Sequence, residues 1–140
     1  MKRICVIDGQ GGGIGAAILR ALKDAYGETI ELIALGTNAI AAAQMLKAGA
    51  NRAASGENAI VQTAPRVDVI VGAVSIGWAH AMLGEVTPRM AEAIMASPAP
   101  KLFLPLTQEA VHLVGLSAEP LPHLVQALVH KKLKEVLPDV

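Results

Sequence analysis

The stretch VIDGQGGGIGAAI, residues 6–18, decides how this chain is read. Gly9, Gly11, Gly12, Gly13 and Gly15 fall within seven positions, directly after an apolar run and directly before a helical pattern. Ordered glycine costs backbone entropy, so a cluster of this density needs a reason. A strand that turns tightly into a helix presents backbone N–H groups that the helix leaves unbonded, at the positive end of its dipole. An anion is stabilised there, and glycine lets it come close. The stretch therefore predicts a strand, an anion-receptive turn and a helix, with a phosphate as the expected guest.

Working outward, RICVI (3–7) is a short β-branched run, and Ile14, Ile18 and Leu22 recur at helical spacing up to Gly27. IELIALG (30–36) predicts a second strand, and TNAIAAAQMLKAGA (37–50) a helix capped by Thr37 or Asn38. A short third strand is expected near 52–54, a helix from about Ser55 to before Pro65, and a fourth strand over VDVIVG (67–72). Residues 73–85 are ambiguous, after which Thr87-Pro88 starts a helix that stops before Ser97-Pro98. KLFLPL (101–106) predicts a fifth strand, VHLVGL (111–116) a sixth in a hairpin with it, and 121–136 a closing amphipathic helix. The early strands are continuous apolar runs, as expected when both faces are covered. The expected fold is a doubly wound α/β domain over 1–140, Rossmann-like, with a mostly parallel sheet of five or six strands, a C-terminal hairpin and a closing helix.

Composition narrows the function. Twelve basic residues balance twelve acidic ones, which argues against nucleic acid as a partner. Apolar runs are broken well before the length of a membrane span, so no membrane partner is expected. The apolar run near the N-terminus is too short for a signal peptide, and the expectation is a cytoplasmic protein. The lone Cys5, inside the first strand, reads as a buried small hydrophobe, and no Cys/His pattern for a metal is present. A hydrophobic fraction of 53% and a mean hydropathy of +0.47 favour a homo-oligomer, dimeric or larger.

Gly9, Gly13 and Gly15 read G-x-x-x-G-x-G, which resembles the cofactor loop of short-chain dehydrogenases. The G-x-G-x-x-G form fails because position 14 is Ile14, and the P-loop form fails for want of Gly-Lys-Ser/Thr. NAD(P) or another nucleotide is the expected cofactor, held by Asp8, Gly9, Gln10, Gly11, Gly12, Gly13, Ile14 and Gly15. The second strand ends in Gly36-Thr37-Asn38 without the carboxylate that bonds a ribose in NAD sites. Thr37 and Asn38 are therefore candidates both for a ribose or second phosphate and for helix capping. Ser55, Glu57, Asn58 and Ser75 also belong at strand ends and complete the candidate set, with capping the competing role for Glu57 and Asn58.

The Tyr-x-x-x-Lys dyad of short-chain dehydrogenases is absent, because the one tyrosine is Tyr26 and position 30 is Ile30. His80, beside Trp78 and Glu85, is a candidate general base without a recognisable partner. VIDGQGGGIG, LGTNAIAAAQMLKAGA, SGENAI and MLGEVTPRMAEAI together resemble a family of short bacterial proteins known as a domain of unknown function. That resemblance spans nearly the whole chain and implies a compact Rossmann-like protein with no assigned activity. The first reading is a nucleotide- or dinucleotide-binding protein with a small phosphorylated ligand. A small NAD(P)-dependent reductase completed by oligomerisation and a ligand-free interaction protein stand as alternatives.

Overall fold

The computed structural model describes residues 1–140. Five strands, β1 (Arg3–Asp8), β2 (Glu31–Gly36), β3 (Arg52–Ser55), β4 (Val69–Ala73) and β5 (Lys101–Leu104), form one sheet in the order β3-β2-β1-β4-β5. Every pair is parallel. Helices α1 (Gly13–Tyr26), α2 (Ala39–Lys47), α3 (Glu57–Thr63) and α4 (Pro88–Ala96) cross between strands. The chain closes with α5 (Leu121–Ala127), a π-helical turn (Leu128–Lys132) and α6 (Leu133–Val136).

Side chains alternate along the strands, so the sheet divides the core in two. Ile4, Val6, Leu32, Ala34, Val69 and Val71 face α1, α2 and the C-terminal helical stretch through Leu19, Leu22, Met45, Val125, Leu128 and Leu133. Cys5, Ile7, Ile33, Leu35 and Ile70 face α3 and α4 through Ile60, Met90 and Ile94. Cys5 is fully buried, and burial pushes its thiol pKa up to about 12, which makes it a packing residue. This is the doubly wound fold expected from the apolar runs.

Caps fall where the sequence places them. Asn38 accepts the Ala41 N–H at 2.8 Å at the start of α2, and Thr87 accepts the Met90 N–H at 3.2 Å ahead of Pro88. The Tyr26 hydroxyl donates to the Val129 oxygen at 2.7 Å, which ties the end of α1 to the π-turn. The ambiguous stretch is a 3-10 turn (Val74–Gly77) followed by turns up to α4.

The C-terminal hairpin is corrected. Residues 111–116 form no strand, and the sheet ends at β5. Pro105 follows β5 at once and lacks the N–H that a continuing ladder needs. Gly115 then takes φ +88°, outside the strand region. Val111, Leu113, Val114 and Leu116 are left exposed, Val114 at 99%. No helix is long and apolar enough to cross a membrane.

Candidate functional site

The chain runs outward from β1 through β2 to β3, then returns to β4 on the other side of β1. The crevice outside the carboxyl ends of β1 and β4 is therefore the switch point where ligands sit in open α/β sheets. Strand register lines up the relevant ends, because Asp8 pairs with Gly36 and Gly36 with Ser55.

Asp8 is 5% exposed at the tip of β1. Its carboxylate accepts the Gly9 N–H at 2.8 Å and the Gly15 N–H at 2.7 Å, which satisfies the first turn of α1 from below. Burial raises its pKa, and the charge of Glu85 adds to this. The N–H bonds from Gly15, Gly9 and Ile14 oppose the rise without cancelling it. The turn itself closes through Gly12 N–H to Gly9 carbonyl at 2.9 Å, with Gln10 at φ +50° and Gly12 at φ +75°.

The five glycines do different jobs. A Cβ on Gly9 would meet Thr37 Oγ1 at 2.5 Å and Met82 Sδ at 2.6 Å. One on Gly12 would lie 2.9 Å from the Ala41 carbonyl oxygen, and one on Gly15 would lie 2.5 Å from Met45 Sδ. These three let α1, α2 and the loop above them pack closely. Gly11 and Gly13 have nothing within 4 Å of such a Cβ, have no positive φ and are exposed. Their N–H groups make no bond within the chain.

The other donors around the turn converge on one oxygen. Glu85 Oε1 accepts the Gln10 N–H at 2.8 Å, the Thr37 hydroxyl at 2.7 Å and the Asn38 side-chain N–H at 2.8 Å. Partial burial works to raise the Glu85 carboxyl. The Gln10, Thr37 and Asn38 donors outweigh it and hold the group below the usual glutamate range. Asn38 Nδ2 also donates to the Gln10 carbonyl at 3.0 Å, which ties the start of α2 to the glycine turn. Thr37 and Asn38 are thus spent on Glu85 and on capping α2.

Beside this network lies a cleft of about 350 Å3. Asp8, Gln10, Ser75, Thr107, Gln108 and Glu109 supply its polar wall, and Ile14, Met82, Leu106 and Leu121 its apolar one. Ser75 is 4% exposed there. No Lys, Arg or His lines the cleft. Among the other expected site residues, Ser55 and Asn58 are exposed near the β3 edge. Glu57 accepts the Thr87 hydroxyl at 2.7 Å and pairs with Arg89 at 3.6 Å. These three residues stand outside the cleft. His80 is exposed at φ +70° and its ring has no polar partner, so no acid–base pair is assembled around it.

Glu85, Thr107, Gln108 and Glu109 are the site residues that sequence reasoning did not select. Gly84-Glu85 ahead of the Thr87 cap is an ordinary loop pattern, and nothing local marks a carboxylate that reaches back to residue 10.

A family model described as a domain of unknown function (DUF3842) matches residues 3–137. No curated protein matches the chain. Among solved structures, a universal stress protein in complex with cAMP is 24% identical over 74% of this chain and 95% of that one, with a TM-score of 0.42. A dodecameric FMN-dependent UbiX-like decarboxylase from Escherichia coli O157:H7 is 15% identical over 99% of this chain and 92% of that one, with a TM-score of 0.44. Neither likeness is large enough to transfer a ligand.

Proposed function

The chain belongs to the family described as a domain of unknown function (DUF3842), and from its own site we propose that it binds a mononucleotide-sized ligand at the carboxyl end of β1 and β4. The observation that carries this reading is the pair Gly11 and Gly13. Neither internal packing nor a left-handed backbone demands glycine at these positions, and both leave N–H groups open at the start of α1. A residue that costs entropy and answers no internal need suits close approach from outside. The phosphate of the ligand would bond these N–H groups.

The body of the ligand would occupy the adjoining cleft, whose volume of about 350 Å3 lies at the small end of ligand sites. Acceptors dominate the polar wall, so a sugar and a base that offer hydroxyl and amino donors fit it. A full NAD(P) is disfavoured within this reading. The end of β2 reads Gly36-Thr37-Asn38 and supplies no carboxylate for the ribose of the adenosine half.

Calorimetric titration with AMP, ATP, NAD and NADP tests the proposal on wild type and Gly13→Val. Wild type is expected to bind AMP, and the variant to lose at least ten-fold in affinity while its melting temperature holds. Flat titrations across the panel with folded wild-type protein would refute it.

A further inference from the structure

Residues 80–86 form a closed loop over the glycine turn. His80 N–H donates to the Val86 carbonyl at 2.6 Å and Val86 N–H to the Ala81 carbonyl at 3.1 Å, which seals the base. The crown is strained. His80, Met82 and Leu83 take φ of +70°, +59° and +56°, and Gly84 follows at +86°. Side chains hold that conformation only where their surroundings impose it, and such residues gather at clamps and switches.

Burial imposes it at the base, where Ala81 and Val86 are 2% and 0% exposed within the core, and polar contacts impose it at the crown. Glu85 reaches the Gln10 N–H, Thr37 and Asn38, and Met82 N–H donates to Glu109 at 3.0 Å. Met82 covers Gly9, but Leu83 at the tip is 97% exposed and adds no burial. One carboxylate, contacting a turn 75 residues away in sequence, is the main tether.

The position of that carboxylate matters as much as its bonds. It is an oxyanion on the donors of the turn that the ligand's own oxyanion would adjoin. Asp8 lies buried beneath them and no cation lines the cleft. Like charges in a partly buried site repel strongly, so a ligand anion is disfavoured while the Glu85 carboxylate stays on the turn beside Asp8 and Glu109. Removal of the Glu85 carboxylate offsets part of the negative charge that a ligand phosphate brings.

Resting on the ligand reading above, we propose that the crown, residues 82–85, is a displaceable strap in which Glu85 stands in for the anionic group of the ligand, so that binding and strap release are one event. On release, Gln10 N–H, Thr37 and Asn38 become donors to the ligand, and the loop leaves its left-handed crown.

The test uses AMP as probe on wild type, Glu85→Ala and Glu85→Gln. Affinity is read by calorimetry and loop opening by hydrogen exchange of residues 82–85, with Trp78 emission as a second report on the loop. Saturating AMP is expected to raise exchange of the wild-type loop at least ten-fold. Glu85→Ala should open the loop without ligand and bind AMP at least ten-fold tighter. Glu85→Gln keeps an acceptor without the charge and should fall between, which serves if the alanine variant folds poorly. Wild-type loop exchange unmoved by AMP would overturn the strap. Equal or weaker AMP binding by both variants would overturn it as well, in the second case because Glu85 would then be a ligand contact. If none of the three proteins binds AMP, the ligand reading falls with the strap, a pattern distinct from binding that ignores Glu85.

Discussion

Alanine at Gly12 and alanine at Gly13 should have opposite effects, although the two residues are neighbours in one glycine run. Gly12 sits at φ +75°, where an L residue costs about 1–2 kcal/mol. Its added Cβ would also lie 2.9 Å from the Ala41 carbonyl oxygen and 3.0 Å from the Ala41 Cα. Those are backbone atoms of α2, so the helices themselves must part, at about 1–3 kcal/mol. Together the loss for Gly12→Ala is about 3 kcal/mol. Gly13 is the first residue of α1, its Cβ would point into open space, and its φ is not left-handed. Gly13→Ala restricts only the unfolded chain and should stabilise by about 0.5 kcal/mol. For a domain of this size, thermal melting followed by circular dichroism should fall by about 10 °C for Gly12→Ala and rise by about 1–2 °C for Gly13→Ala. Urea denaturation supplies the free energies directly. If Gly12→Ala lies within about 0.5 kcal/mol of wild type, or Gly13→Ala costs more than about 1 kcal/mol, the division of the glycines into packing and open positions is wrong.

Asp8→Ala should cost about 3 kcal/mol in urea denaturation, because it strands the buried Gly9 and Gly15 N–H groups. Asp8→Asn should cost about half as much, since its amide oxygen still accepts one of them; a loss near zero for this isosteric change would show that Asp8 acts through packing alone. Acid should separate wild type from Glu85→Gln. The folded Glu85 carboxyl lies below its usual value, so its contribution is present above the unfolded glutamate pKa and is lost as pH falls through the folded one. The raised Asp8 works in the other sense, since folding disfavours its charged form, but both proteins share it. The wild-type advantage in urea midpoint should therefore shrink below about pH 4; a constant gap down to pH 3 would remove the charge of Glu85 as its source.

The sheet was legible because its signal is local. Continuous apolar runs at 3–7, 30–36 and 67–72 can be satisfied only when both faces are covered, and those runs are β1, β2 and β4. Thr87-Pro88 and Asn38 announced helix starts by the same local chemistry. VHLVGL has the composition of a strand but no neighbour to complete its ladder, and composition does not report neighbours. The π-turn at 128–132 was hidden for a similar reason, since the hydroxyl that bonds its Val129 carbonyl belongs to Tyr26, 103 residues away. Spacing also mis-sorted the glycines. The G-x-x-x-G-x-G pattern groups Gly9, Gly13 and Gly15, whereas packing groups Gly9 and Gly15 with Gly12 and leaves Gly11 open beside Gly13.

Glu85 explains how such a turn persists without a guest. Partly buried donors left unbonded cost about 1–3 kcal/mol each, and this turn gathers Gln10 N–H, Thr37 and Asn38 at one point. The carboxylate removes that cost and ties the starts of α1 and α2 to the end of β1. Under the strap proposed above, the same contact would limit affinity, because a ligand would gain only the difference between its own bonds and those it displaces. Apparent affinity is then the intrinsic affinity scaled by the fraction of molecules with the loop open. A binder built this way responds to concentration changes near a weak dissociation constant rather than holding its ligand permanently.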